Sequence, residues 1–336
     1  MSRFGSQMLP TMLRMDWSVG DGWSRPALIP YGNIEVSPAA QVFHYGQAVF
    51  EGVRAYRQDD GRYAVFRPDE NAKRFQRSCA RMAIPELPTM SFIDAVTSVV
   101  AANLDALDDP ARPESIYLRP FIVATEPSLG FYGRSSDFAF MVLALPMQQY
   151  FGDRTRMLRV LVQDEFSRAF PRGVGFAKCA GNYAGTILAQ ENAAGADCDQ
   201  VLWLDGPTQQ WIEEFSTSNV FFVLGDELLT PSLNDAFLPG ITRASVLDLA
   251  RELGVPTVER KIAIQELLSA IESGQQVECF SCGTTASVTP VGTLVFKGRE
   301  YRIGTKPGSV TEKIREELLA VQAGRSVRMP TWRHGV

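Results

Sequence analysis

Gly175-Phe176-Ala177-Lys178-Cys179-Ala180-Gly181-Asn182-Tyr183 sets one lysine among small and apolar residues, with no carboxylate beside it. Desolvation penalises the charged form of an amine. A lysine enclosed by such neighbours therefore has a depressed pKa and is a candidate Schiff-base nucleophile. The competing reading is a lysine at a helix start whose ammonium reaches back to solvent. Three further segments bear on the choice.

In Glu213-Glu214-Phe215-Ser216-Thr217-Ser218-Asn219 two acids abut a strongly β-prone run. Either they mark a solvated strand end, or one carboxylate points inward to a buried cation, where a low dielectric strengthens the pair. Leu238-Pro239-Gly240-Ile241-Thr242-Arg243-Ala244-Ser245 puts a Pro-Gly turn before an amphipathic helix. That leaves the N–H groups of Ile241 and Thr242 free for an anion. Ser281-Cys282-Gly283-Thr284-Thr285-Ala286 supplies a second glycine-hydroxyl turn after a buried strand. A lysine for an imine, a carboxylate for a ring cation and two turns for one phosphate are the parts that pyridoxal phosphate requires.

The 336 residues suffice for two domains, each with its own core. Apolar residues make up 45% and charged residues 21%, as in soluble globular proteins. The formal charge of -5, without a basic cluster, leaves no footprint for nucleic acid or an anionic membrane, so the expected partners are small molecules. Met1 to Arg14 has no apolar core of signal-peptide type, and no stretch is apolar enough for a membrane helix, so a cytoplasmic location is expected. Five scattered cysteines argue against a disulfide framework. Cys279 and Cys282 lie on a buried strand without a second ligand pair and are read as packing residues. With only His44 and His334 present, histidine triads and multi-histidine metal sites lack material, and no metal is expected.

The pattern predicts an α+β N-terminal domain over 1–146 and a larger C-terminal domain over 157–336 that carries the lysine. They are joined by a loop at 147–156, within the segment from Pro146 to Arg156 that breaks the pattern with a proline, a glycine and charge. In the first, Val53–Gln58 and Arg62–Phe66 flank an Asp-Asp-Gly turn as a hairpin, and Pro68 starts a helix through Met82. A helix over Ser91–Leu107 and strands over Ser115–Thr125 and Asp137–Leu145 follow. In the second, strands at Met157–Gln163, Asp199–Leu204 and Asn219–Leu224 alternate with helices at Gly181–Ala194 and Thr242–Leu253. A helix near Ile264–Ile271, strands within Val277–Phe296 and a helix from about Val310 to Ala323 complete it.

From about Trp17 to Gln322 the chain resembles the branched-chain-amino-acid aminotransferases, fold-type IV pyridoxal-phosphate enzymes with the two-domain α/β and α+β architecture of D-amino-acid aminotransferase. The signposts are Tyr45 with Phe50-Glu51-Gly52, Asn71 to Arg81, Tyr117-Leu118-Arg119-Pro120, Thr125-Glu126-Pro127-Ser128-Leu129-Gly130, and the Lys178, Glu214, Leu238 and Gly283 segments. The resemblance implies pyridoxal 5'-phosphate as cofactor and an active site at the domain interface. It also implies reversible transamination of leucine, isoleucine or valine with 2-oxoglutarate, and a homodimer whose partner completes the pocket. By the same resemblance Lys178 would carry the cofactor and shuttle its proton. Glu214 would pair with the pyridine nitrogen and Tyr183 with the phenolic oxygen, while Arg74, Ile241, Thr242 and Thr284 would hold the phosphate. Tyr45, Thr217 and Thr285 look like the α-carboxylate site. Tyr117 and Arg119 look like the receiver of glutamate's distal carboxylate, and Phe50 and Phe131 line the substrate pocket.

Three residues depart from the family pattern. Ser216 stands where glycine is usual, Phe131 where a smaller aliphatic is common, and Met8 where an aromatic often lines the pocket. All three fall at positions expected near the substrate side chain. They keep open an aminotransferase for another hydrophobic or non-proteinogenic amino acid in a specialised biosynthetic pathway. A binding protein that has lost catalysis would have no reason to retain Lys178, Glu214 and Tyr183 together.

Overall fold

Val53–Arg57 and Tyr63–Phe66 form the expected antiparallel hairpin, buried along nearly its whole length. The computed structural model describes residues 5–107, 113–131, 133–147, 156–304 and 309–336. Most of the expected 147–156 connection lies outside these residues. The chain gathers into two compact units, one of Met1–Tyr150, Ala177–Gly181 and Val321–Val336, the other of Phe151–Phe176 and Asn182–Ala320. Sequence continuity puts Lys178 with the second half, but the packing gathers its segment into the first unit.

The first unit is built on a nine-stranded antiparallel sheet. Ser115–Ala124 and Asp137–Met147 run through its middle in a ten-pair register. Thr11–Ser18, which the sequence reading left without structure, pairs along Asp137–Met147 and buries Met12, Leu13 and Met15. The C-terminus returns to add Arg333–Gly335 to the edge of Tyr63–Phe66.

Helix Pro68–Arg81 begins with proline at its first turn, where a missing N–H costs nothing. Helix Thr89–Ala101 buries Phe92, Ile93, Val96, Val99 and Val100 at helical spacing. It stops short of the expected Leu107 because Asn103 turns its side chain back on the structure. The Asn103 amide donates to the carbonyls of Val99 and Thr11 and accepts the Thr11 N–H, tying the helix end to the outer strand.

The second unit has its own nine-stranded sheet, in which Leu158–Gln163 pairs in parallel with both Gln200–Leu204 and Ser287–Phe296. Gln200–Leu204 is buried without a break because both of its faces are covered. Its alternate residues divide accordingly. Leu202 and Leu204 enter the main core, while Val201 and Trp203 pack under Ala189 and Ala193 of helix Ile187–Gly195. The helix expected over Gly181–Ala194 is broken into Gly181–Ala184 and Ile187–Gly195. Thr186 closes the break by donating both its N–H and its hydroxyl to the Tyr183 carbonyl.

Helix Ile241–Glu252 ends at Gly254, whose φ of +71° suits only a residue without a Cβ. Cys279 and Cys282 are three apart on Val277–Gly283 and so face opposite sides of the sheet, and burial pushes both thiols up. They pack, as expected. Among the described residues no group of His, Cys, Asp and Glu could hold a metal ion, and no helix is long and apolar enough to cross a membrane.

Close approach constrains the loop before Lys178. A Cβ on Gly175 would run into the Ala236 backbone carbonyl, which no side-chain rotation can relieve. Gly175→Ala should lower unfolding stability by about 1–3 kcal/mol, read as the urea midpoint. An unchanged midpoint would mean that this carbonyl moves freely.

Candidate active site

In the first unit one stripe of helix Pro68–Arg81 is polar although buried: Asn71, Arg74 and Ser78. They share a face because they lie three and four residues apart. The Arg74 fork donates through Nε and Nη2 to the two oxygens of Glu51, both at 2.7 Å, and the Asn71 amide adds a bond of 2.8 Å. Glu51 is 0% and Arg74 4% exposed. Burial works to raise the Glu51 pKa, but the charge and hydrogen bonds of Arg74, with Lys178 and Asn71, outweigh it and hold the carboxyl below its ordinary value.

Ser78, one turn further along, accepts the Lys178 backbone N–H at 2.9 Å, and the Lys178 carbonyl accepts from Phe50 N–H. These two bonds, with a bridge between Val49 and Cys179, fix the lysine's backbone. Its Nζ lies 5.0 Å from the centre of the Phe50 ring. Burial first and Arg74 second pull the amine down to about 8, against the attraction of Glu51 and Tyr117. A larger share of the amine is therefore the uncharged nucleophile near neutral pH than in an ordinary lysine.

Tyr117 and Arg119, two apart on Ser115–Ala124, share a face of the sheet. Arg119 donates to the Tyr117 hydroxyl at 2.9 Å and stacks over Phe50 at 4.8 Å, while its buried Nε has no partner among the described residues. Gly52 makes this possible, since a Cβ there would collide with the Tyr117 phenol. Met8 packs on Tyr117, Leu145 and Met147. Tyr45 donates its hydroxyl to the Leu129 carbonyl and tilts against Phe131, which is 77% exposed.

In the second unit strand Ile212–Phe215 buries both acids, and their fates differ. Glu214 accepts from Arg168 at 2.8 Å, from the Asn219 amide at 3.0 Å and from the Leu238 N–H at 3.3 Å. Asn219 also donates to the Leu238 carbonyl, tying the carboxylate to the turn before helix Ile241–Glu252. Gly240 is needed at that turn because Asn219 Oδ1 occupies the space of a Cβ. The helix starts without a side-chain cap, so the amides beside half-buried Ile241 and buried Thr242 keep the anion-binding character expected of them. Thr284 and Thr285 lie half-buried in the turn between Val277–Gly283 and Ser287–Phe296. Tyr183 is half-buried in Gly181–Ala184, and exposed Thr217 accepts from Gln200.

Glu213 takes neither of the roles open to it in the sequence. It is 2% exposed, and both of its oxygens are buried without a partner among the described residues. Burial pushes its carboxyl up to about 8, with Arg168 opposing and Glu214 and Asp205 reinforcing. Ser216 does not crowd the open face of the strand. Its hydroxyl turns into the core and accepts the Trp203 indole N–H at 3.1 Å. Sequence reasoning assigned no role to Glu51, Arg168 or Asn219, although Glu51 and Asn219 stand inside quoted motifs. Arg168, ten residues before the lysine, gave no signal at all.

The chain matches the family of class IV amino-transferases over residues 48–294. It is 43% identical to branched-chain-amino-acid transaminase 1 of Bacillus subtilis (strain 168) over 324 residues, 96% of this chain and 90% of that protein. It is 40% identical over 334 residues to the branched-chain-amino-acid aminotransferase of Mycolicibacterium smegmatis, with 98% and 90% covered. Among solved structures, the branched-chain amino acid aminotransferase of Thermobaculum terrenum in its PLP form is similar at a TM-score of 0.80 and 25% identity, covering 98% of this chain and 99% of that one. The Thermoproteus uzoniensis branched-chain aminotransferase with norvaline gives 0.77 and 26%, covering 96% and 98%.

Glu213 should also appear in the pH dependence of stability. Its ordinary pKa is 4.5 and its folded value about 8. Between these the folded chain holds a proton that the unfolded chain has lost, so its contribution to stability falls as pH rises, by at most about 1.4 kcal/mol per unit. Glu213→Gln carries no such proton. Its urea-unfolding free energy should fall less between pH 5 and 8 than that of the wild type, and equal falls would mean that Glu213 is ionised in the folded chain.

Proposed function

The chain belongs to the class IV aminotransferases, and we propose that it transfers the amino group of branched-chain L-amino acids (leucine, isoleucine, valine) to 2-oxoglutarate, with pyridoxal 5'-phosphate as cofactor. The observation that carries the reading is the half-buried Lys178 amine, positioned over Phe50 beside the Arg74–Glu51 pair and lowered to about 8. The donor set fits the cofactor: an amine lowered to about 8, a buried carboxylate held ready by Asn219 and Arg168, and an uncapped helix N-terminus beside Thr242.

When bound, the cofactor supplies an electron-poor pyridine ring that stabilises negative charge at the substrate α-carbon. In this reading Lys178 would anchor the cofactor, and its amine, once freed, would take up and return the proton of the substrate α-carbon. Glu214 keeps the proton on the pyridine nitrogen, and Tyr183 donates to the phenolic oxygen. Arg74, Thr242, Thr284 and the Ile241 N–H hold the phosphate, with Arg74 also bound to Glu51. Tyr45, Thr217 and the Thr285 backbone receive the α-carboxylate.

Phe50, Phe131, Tyr117 and Arg119 shape the pocket for the side chain. The Nε of Arg119, without a partner among the described residues, supports its role as receiver of glutamate's distal carboxylate, because a buried guanidinium with unspent donors gains most from an anion. We infer a homodimer acting in the cytoplasm. Exposure of the neighbouring Phe43, Leu129 and Phe131 supports a face that a second copy covers.

Lys178→Ala should abolish turnover and the yellow colour of the holoenzyme, with a loss of about 10²–10⁴-fold or more in kcat. A coloured, active variant would refute the assignment. Arg119→Ala should lower kcat/KM for glutamate by about 10- to 100-fold, the worth of a charge-assisted bond, and spare leucine. Equal losses for both substrates in single-turnover measurements would count against the gate.

A further inference from the structure

Beside the strand that carries Glu214, the second unit holds a separate cavity of about 190 Å³. None of the residues assigned above to cofactor or substrate lines it. Its lining is mixed, with Ile212, Pro231 and Phe237 on the apolar side and two acids, Asp205 and Glu213, among the polar residues. Asp205 has no capacity to spare. Its two oxygens accept from the Thr208 hydroxyl and from the N–H groups of Thr208, Gln210 and Trp211.

Glu213 is the opposite case, 2% exposed and with neither oxygen partnered among the described residues. The Arg168 guanidinium, whose charge acts on Glu213, bonds through Nη2 to Glu214 and the Ala236 carbonyl instead. A buried carboxyl without a partner costs about 1–3 kcal/mol when nothing satisfies it, so a donor that enters the cavity gains by meeting it. At the outer side Lys261 is exposed and lies 5.4 Å from the centre of the Trp211 ring, which also lines the cavity. A deep acid, a superficial cation and an apolar wall between them match a zwitterion with an aliphatic body. The volume is that of about six waters, and it suits a small branched amino acid.

We propose that this cavity is a second binding site, distinct from the reaction centre, for a small aliphatic α-amino acid, with Glu213 receiving the ammonium and Lys261 the carboxylate. The groups that face Glu213 are Arg168, Glu214 and Asp205, with Lys261 at the outer wall. An arriving ammonium favours the ionised carboxyl, so the Glu213 proton leaves to solvent, one per ligand bound. With the carboxyl normally protonated up to about pH 8, affinity should rise with pH toward that value by up to about tenfold per unit and then level off.

The test is calorimetric titration of L-leucine into holoenzyme whose cofactor has been fixed on Lys178 by borohydride, which blocks imine formation with an added amine at the reaction centre. Loss of the yellow absorbance verifies that step, so a failure of the cofactor assignment is visible separately. The expected result is one saturable site per chain, weakened at least tenfold in Glu213→Gln. In Lys261→Ala the site should be weakened for leucine but not for 3-methylbutylamine, which lacks the carboxylate. Proton release into buffers of different ionisation enthalpy should be near one at pH 7 and vanish at pH 9. Glu213→Gln replaces a protonated acid by a neutral isostere, and an unchanged circular dichroism spectrum would confirm its fold. Absence of saturable leucine binding, or equal binding by wild type and Glu213→Gln, would overturn the proposal.

Discussion

The buried pair of Glu51 and Arg74 is the constraint from which the rest of the first unit's candidate site follows. A carboxylate with no solvent exposure is tolerable only if a cation and further donors replace water, and removing one partner of such a pair costs about 3–5 kcal/mol. The bidentate fork of Arg74 and the Asn71 amide meet that requirement, and both project from one stripe of helix Pro68–Arg81. The stripe continues to Ser78, which holds the Lys178 backbone. A single helix face thereby sets the carboxylate, its counter-ion and the position of the lysine together. Arg74 repels the lysine's charge and Glu51 attracts it, so the fall of the amine to about 8 is owed mainly to burial.

The second unit treats two adjacent acids in contrary ways. Consecutive residues of a strand point to opposite faces, so Glu213 and Glu214 enter different surroundings although both are buried. Glu214 meets Arg168 and Asn219 and is held as a carboxylate ready for a cationic ring. Glu213 meets no donor and is held as a neutral acid near the physiological range. The same residue type one position apart thus gives one group suited to charge and one suited to exchanging a proton.

The three departures from the family pattern also separate once side-chain directions are known. Ser216 is taken up by Trp203, so its hydroxyl fills a need of the core and leaves the open face of the strand close to that of a glycine. Met8 completes a cluster under Tyr117, where an unbranched side chain adapts to the space available. Phe131 alone remains at the surface, against Tyr45.

Much of this was legible in the sequence because it is local. The Val53–Phe66 hairpin, the helix begun by Pro68 and the uncapped helix after Gly240 depend on residues adjacent in the chain, as does the small-residue setting of Lys178. Thr11–Ser18 and Arg333–Gly335 escaped notice because a strand exists only against its neighbour, and each of these neighbours lies far away in sequence. Lys178 was assigned by continuity to the second half, whereas its hydrogen bonds run to Phe50 and Ser78. The order of residues alone sets the kind of chemistry on offer: one lysine in an apolar setting, paired acids before a β-run and two anion-binding turns. Which groups are charged and which are paired is settled only in three dimensions. Desolvation and Coulomb energy depend on distances between residues such as Glu51 and Arg74 or Arg168 and Glu214, and chain order does not encode them.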